Sequence, residues 1–109
     1  MILSSNASIS PEKLIQYLLT PRKHNDKSKY LAQAGYIIEN WRVLENDLRS
    51  QILSLEAVLS ELSQYGQTYK ISGLLKGPNG KTLAVNTVWM NENASGVTKF
   101  ITLYPDKGQ

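Results

Sequence analysis

The chain has 109 residues, of which 41% are hydrophobic and 19% charged, and its formal net charge is +3. This length fits one domain, and the apolar content excludes a chain that stays disordered. The sequence contains no cysteine, which excludes disulfides and zinc–cysteine sites, and no apolar run approaches the roughly 20 residues of a membrane span.

We expect residues 1–9 to form a flexible tail, residues 10–105 a single domain and residues 106–109 a second tail. The first residues lack the basic stretch and apolar core of a signal peptide, so the expected location is cytoplasmic. Ser10 precedes Pro11 and Glu12, and this order favours the start of a first helix. Pro21 ends that helix, because the residue before a proline is biased away from helical angles.

Two further helices are predicted in the first half. The second starts at Asp26 or Ser28 and runs through Ala34, and Gly35 follows where a left-handed residue ends a helix. The third starts after Asn40, with an amphipathic face formed by Trp41, Leu44, Leu48 and Ile52.

Residues 54–64 fit either a continuation of the third helix or a first strand, because short apolar runs do not distinguish the two. We expect a break near Ser54, since a helix extending to Tyr65 would be long for a domain of this size.

The second half has the alternating pattern of strands. Strands are expected over 67–76, 81–90 and 97–104, with the Gly-Pro-Asn-Gly sequence at 77–80 as a turn. The predicted fold class is α+β, with about three N-terminal helices packed on a C-terminal antiparallel meander of three to four strands. The expected core residues are Leu14, Leu18, Leu31, Leu44 and Leu48 from the helices, and Ile71, Val85, Val88 or Trp89, and Ile101 from the sheet.

The charges are unevenly distributed. Residues 22–29 carry four cations and one aspartate, residues 30–64 have a net charge of −3, and residues 65–109 have a net charge of +3. A basic surface that faces an anion would produce this pattern, and so would an ordinary need for solubility.

The basic loop contains the only histidine, His24, and the candidate nucleic-acid-binding residues Arg22, Lys23, Lys27 and Lys29. A histidine is the usual general base near neutral pH, and cations at a helix start can hold a phosphate. These groups are what RNA cleavage without a metal requires. The alternative interpretation is a solvated loop with an exposed histidine.

Metal and cofactor sites are not expected. One histidine and scattered carboxylates give no metal-ligand spacing, and the sequence has neither a P-loop nor a GxGxxG motif. Gly73, Gly77 and Gly80 surround a turn and are interpreted as backbone requirements.

Several segments resemble an uncharacterised bacterial family, a domain of unknown function. The family has a helical half with the pattern LLxP, KSK, G and NW, and a sheet half with GPNG, TVW and TxYP. The corresponding segments here are 18–21, 27–31, 35–36, 40–41, 65–66, 73–80, 87–89 and 101–105. The resemblance supports the fold and implies no activity.

A more distant similarity is to the metal-independent ribonuclease superfamily that includes barnase, EndoU, colicin-type and RelE-type toxins. It implies catalytic roles for His24, Lys29 and Thr102, with Lys27 beside them, although the second histidine of several members is absent. The sequence therefore leaves two hypotheses, and it leaves open whether the chain is an enzyme. One is RNA binding or ribonuclease-like chemistry, and the other is a non-catalytic protein-interaction or immunity-type partner module.

Overall fold

A computed structural model describes residues 1–24 and 26–107. The helical segments are α1 (Lys13–Leu18), which is π-helical, α2 (Ser28–Ala32) and α3 (Trp41–Asp47). A 3₁₀ turn, Ile38–Asn40, leads into α3, and a π-helical stretch, Leu48–Ile52, continues it. The strands are β1 (Val58–Ser63), β2 (Gly66–Lys76), β3 (Thr82–Glu92) and β4 (Thr98–Pro105).

The four strands form one antiparallel sheet in the order β1-β2-β3-β4. This confirms the α+β class and the meander, and it fixes the strand number at four in the described part of the chain. The helices are short, so the prediction of three N-terminal helices is matched only loosely. Within residues 1–24 and 26–107, no helix combines the length and the apolar character needed to cross a membrane.

The core lies between the helices and one face of the sheet. Each helix contributes leucines that are fully buried, and Trp89 is fully buried from β3. The expected residue Ile101 is wrong as a core member, because it is partly exposed and its neighbour Phe100 points inward instead. The fully buried large side chains are Leu14, Leu18, Leu31, Tyr36, Leu44, Leu48, Ile52, Ile71, Leu75, Trp89, Phe100 and Leu103.

Residues 1–9, expected as a tail, pack against the sheet. Leu3, Ala7 and Ile9 are buried, and Ser8 forms a parallel bridge with Lys99 on β4. The Ser8 amide donates to the Thr98 carbonyl at 2.8 Å. These contacts satisfy backbone groups of an edge strand, which is a common way to protect an edge.

Tyr36 connects the helices to the sheet. Its hydroxyl donates to Asp47 Oδ2 at 2.7 Å and lies 3.1 Å from the Lys76 carbonyl. Burial raises the pKa of Tyr36 strongly, and the neighbouring Asp47 raises it further. Tyr36 is buried, whereas the next two residues, Ile37 and Ile38, are exposed.

The expected break near Ser54 is confirmed, since the helical stretch ends at Ile52 and β1 begins at Val58. All six residues of β1 are exposed, and Leu59 and Leu62 are 65% and 78% exposed. The helices do not cover this strand. One edge of the sheet is therefore open and apolar, whereas the β4 edge is covered by the N-terminal residues.

Replacing Leu62 by lysine should leave the melting temperature almost unchanged and reduce self-association at high concentration. The side chain has little burial to lose, so the change in unfolding free energy should stay within about 0.5 kcal/mol. A charge on an open edge opposes strand pairing between molecules. Thermal denaturation and sedimentation velocity measure the two effects. A large loss of stability would contradict the exposure of Leu62 and show that its side chain is buried in a contact.

Candidate functional site

A β-bulge shapes the middle of β4. Val88 on β3 pairs with Thr102, and the next residue, Trp89, pairs with Phe100. Ile101 is therefore the extra residue of the bulge. Such bulges bend a strand and redirect side chains, and they are frequent next to functional sites.

The bulge places Lys99 and Thr102 on the same face of the sheet, although three positions separate them. Their partners on β3, Met90 and Val88, are two residues apart and so point to one side. This is the side opposite Phe100, whose ring packs edge-on at 5.2 Å from that of Trp89.

The helix α1 lies beside this bulge. The Lys13 ammonium donates to the Ile101 carbonyl at 3.0 Å. A cleft of about 560 Å³ separates the helix from the strand. We call it the α1–β4 cleft, and its lining residues are Glu12, Lys13, Gln16, Tyr17, Arg22, Ile101 and Thr102.

Two cations meet at one aromatic ring in this cleft. The Arg22 guanidinium carbon lies 4.5 Å from the centre of the Tyr17 ring, and Lys27 Nζ lies 5.1 Å from it. Lys27 also donates to Thr102 Oγ1 at 3.1 Å. The negative face of an aromatic ring attracts cations, so Tyr17 holds together two like charges that would otherwise repel.

Among the described residues, no carboxylate lies within ion-pair distance of these two cations, although Glu12 lines the same cleft. The ion pairs there join the N-terminus to Glu56, Arg49 to Glu45, and Lys99 to Glu92. Neither Arg22 nor Lys27 belongs to one of them. Two uncompensated cations beside a hydroxyl give the cleft the charge and the donors that an anion requires.

Asp26 fixes the backbone next to Lys27. Its Oδ1 accepts from the amide of Ser28 at 2.8 Å and from the Ser28 hydroxyl at 2.6 Å. These two bonds hold the pKa of Asp26 below its usual value, with a smaller contribution from the Arg22 amide. The Asp26 carboxylate therefore holds the loop backbone in place through hydrogen bonds from the uncharged amide and hydroxyl of Ser28.

Lys13 is a partly buried cation of the cleft. Partial burial lowers its pKa, and the nearby positive charge of Lys99 lowers it further, while Tyr17 acts in the opposite direction. Burial and a like charge both disfavour the protonated amine. An anion placed near Lys13 would favour its protonated form.

The structure brings together only some of the residues that the sequence singled out. Lys27 and Thr102 are in contact, and Arg22 lines the same cleft. Lys23 and His24 are exposed, and the contacts of the described residues do not connect His24 to Thr102. Residue 25, which the predicted loop includes, lies outside the described residues.

Lys29 lies apart from the α1–β4 cleft. It lines a separate cavity of about 320 Å³ with Pro21, Ile37 and Ile38. In the described part of the chain, no cluster of three histidine, aspartate or glutamate residues could hold a metal ion.

The sequence did not identify Lys13 and Tyr17 as site residues. Tyr17 is partly buried on α1 and packs against the core, as an aromatic residue on the apolar side of a helix does. The sequence did contain one signal for this role. Tyr17 lies near the end of the helix, five residues before Arg22, and Pro21 turns the chain between them.

The chain belongs to the family described as "Domain of unknown function (DUF6883)", whose model matches residues 4–107. The expected membership of a family of unknown function is thereby confirmed, and the match does not bear on the ribonuclease similarity. No curated protein and no solved structure matches the chain.

Proposed function

We propose that this domain binds single-stranded RNA, with a phosphate held in the α1–β4 cleft by Arg22, Lys27 and Thr102. The observation that carries the proposal is the cation pair on the Tyr17 ring, which has no ion-pair partner in the described residues. Guanidinium and ammonium groups are the usual phosphate ligands of proteins, and a threonine hydroxyl supplies a further donor.

A polymer of phosphates is favoured over a single anion by the charges around the cleft. Lys13 lies at the same bulge as the first pair, and Lys23 is an exposed cation of the same loop. A continuous positive track is typical of proteins that follow a nucleic-acid backbone. Double-stranded RNA hides its base edges in a deep, narrow major groove, which makes a single strand the better fit.

Cleavage of the bound RNA would need a proton acceptor near the 2′-hydroxyl, and His24 is the residue that the sequence offers for it. Cations at the phosphate would stabilise the charge that develops there. Since His24 is exposed and has no described contact with Thr102, we expect binding without cleavage.

The test is a titration of fluorescently labelled oligouridylate at two salt concentrations, together with an RNA cleavage assay in EDTA. The unmodified chain should bind at low salt and lose affinity steeply as salt rises, because cations on phosphates release counterions. The variant His24→Ala should bind almost normally. Cleavage that disappears in His24→Ala would make the domain a ribonuclease, and no binding at low salt would end the RNA proposal.

A second candidate function is protein recognition at the β1 edge, favoured by the exposed Leu59 and Leu62. An extended segment of a partner protein can add a strand to such an edge. Glu61 is the only charge of β1, so the matching segment would be apolar with a basic residue opposite it. A complex that is lost in Leu62→Lys and kept in Lys27→Gln would identify this function, and an RNA-binding domain shows the reverse dependence.

A further inference from the structure

A second group of cations, Lys13 and Lys99, lies near the Arg22–Lys27 pair at β4. Lys99 and Thr102 share one face of the sheet, at the level of Met90 and Val88. Positions two apart on a strand are separated by about 7 Å. The Ile101 carbonyl, which holds Lys13 Nζ, lies between these two positions, so Lys13 lies within about one such separation of Thr102. That separation is comparable with the distance between consecutive phosphates of a nucleic-acid strand.

The Lys13 ammonium completes this second group from the helix side. One of its three N–H donors is used by the Ile101 carbonyl at 3.0 Å, which leaves two donors available. Lys13 takes part in none of the ion pairs of residues 1–24 and 26–107, whereas Lys99 contacts Glu92 Oε2 at 2.6 Å. Of the two lysines, Lys13 is therefore the one with unsatisfied charge.

The electrostatic state of Lys13 supports the same conclusion. Burial and the charge of Lys99 lower its pKa, so the protonated amine is destabilised in the free protein. A phosphate next to it would supply the missing counter-charge. The bulge carbonyl of Ile101 meanwhile keeps the amine in place, and an oriented donor loses less entropy on binding.

We propose that Lys13 forms a second phosphate subsite next to that of Arg22, Lys27 and Thr102, so that the cleft recognises two consecutive phosphates of one strand. This inference rests on the proposed function and defines its ligand more closely. The smallest unit that fills the cleft is then a nucleoside flanked by two phosphates. A free phosphate or a mononucleotide fills half of it.

The experiment compares uridine 5′-monophosphate with uridine 3′,5′-bisphosphate, which differ by one phosphate. Each compound competes with labelled oligouridylate for the unmodified chain and for Lys13→Gln. The matched control is Lys81→Gln, which removes the same charge from an exposed lysine next to the 77–80 turn. Thermal denaturation checks that both variants are folded.

The unmodified chain and Lys81→Gln should bind the bisphosphate about tenfold more tightly than the monophosphate, as expected for one added hydrogen bond to a charged group. In Lys13→Gln this preference should fall to near onefold, while the monophosphate affinity stays the same.

An unchanged preference for the bisphosphate in Lys13→Gln would overturn the second subsite, whether or not both compounds bind more weakly. This result leaves RNA binding intact, whereas a chain that binds no oligouridylate would refute the proposed function itself.

Discussion

Replacing Gly77 by alanine should destabilise the domain by about 3 kcal/mol, because the added methyl group has no room. A Cβ atom at Gly77 would lie 2.1 Å from the Ala34 carbonyl oxygen and 2.5 Å from the Ala34 Cβ. The same carbonyl accepts from the Asn79 amide at 3.2 Å. The β2–β3 turn therefore packs directly on the chain that follows α2, and neither side can move without breaking this contact.

Gly80→Val is the control for this prediction. Gly80 has a φ of +91° and no heavy atom within 4 Å of an added Cβ, so the substitution introduces backbone strain without a clash. It should cost about 1 kcal/mol. Urea denaturation of both variants gives the comparison. A Gly77→Ala variant that is no less stable than Gly80→Val would show that the turn does not dock on residue 34.

The double substitution Arg22→Gln and Lys27→Gln should weaken the binding of oligouridylate about 100-fold at low salt, since two charged hydrogen-bond donors are lost. The slope of the logarithm of affinity against that of salt concentration should become shallower by about 0.7, the value for one phosphate contact on a single strand. Fluorescence anisotropy at several salt concentrations measures both quantities.

A matched double variant separates the cleft from the basic loop as a whole. Lys23→Gln with Lys29→Gln removes the same net charge, but it leaves the contacts of Arg22 and Lys27 with Tyr17 and Thr102 intact. We expect only a several-fold loss of affinity from this change. Equal losses in the two double variants would mean that RNA contacts the loop by diffuse charge, and the cleft would have no special role.

The strands were predictable because their signals are local. Thr87 and Trp89 alternate with partly exposed residues on β3, and Gly35 adopts the left-handed φ of +94° that its place after a helix suggests. The buried chain from Trp89 Nε1 to Thr87 Oγ1, and from that hydroxyl to the Ile71 carbonyl, was not predictable. It depends on the register between β2 and β3, and the alternation of apolar and polar residues along each strand does not define that register.

The role of residues 1–9 was missed for a similar reason. Leu3, Ala7 and Ile9 have no regular spacing, and their burial depends on the open edge of β4, about 90 residues later. The bulge at Ile101 is also a property of two paired strands. It determines which side chains of β4 share a face of the sheet, so no local pattern predicts that Lys99 and Thr102 lie on the same side.

Part of the candidate site was nevertheless predictable. Arg22, Lys27 and Thr102 were selected from the basic loop and from the resemblance, and the fold brings Lys27 and Thr102 into contact across 75 positions. The proposed participation of His24 and Lys29 in catalysis stays a prediction. Lys13 could not be found from the sequence, because a single lysine on an amphipathic helix normally faces water.

The central claim is that RNA occupies the α1–β4 cleft, and the most direct test is an NMR titration of the ¹⁵N-labelled chain with oligouridylate. We predict that the amide signals of Lys13, Tyr17, Lys27 and Thr102 shift progressively and saturate together, while those of β1 remain in place. Signals that move only in β1, or no signal that moves at low salt, would contradict the assignment of this cleft as the RNA-binding site.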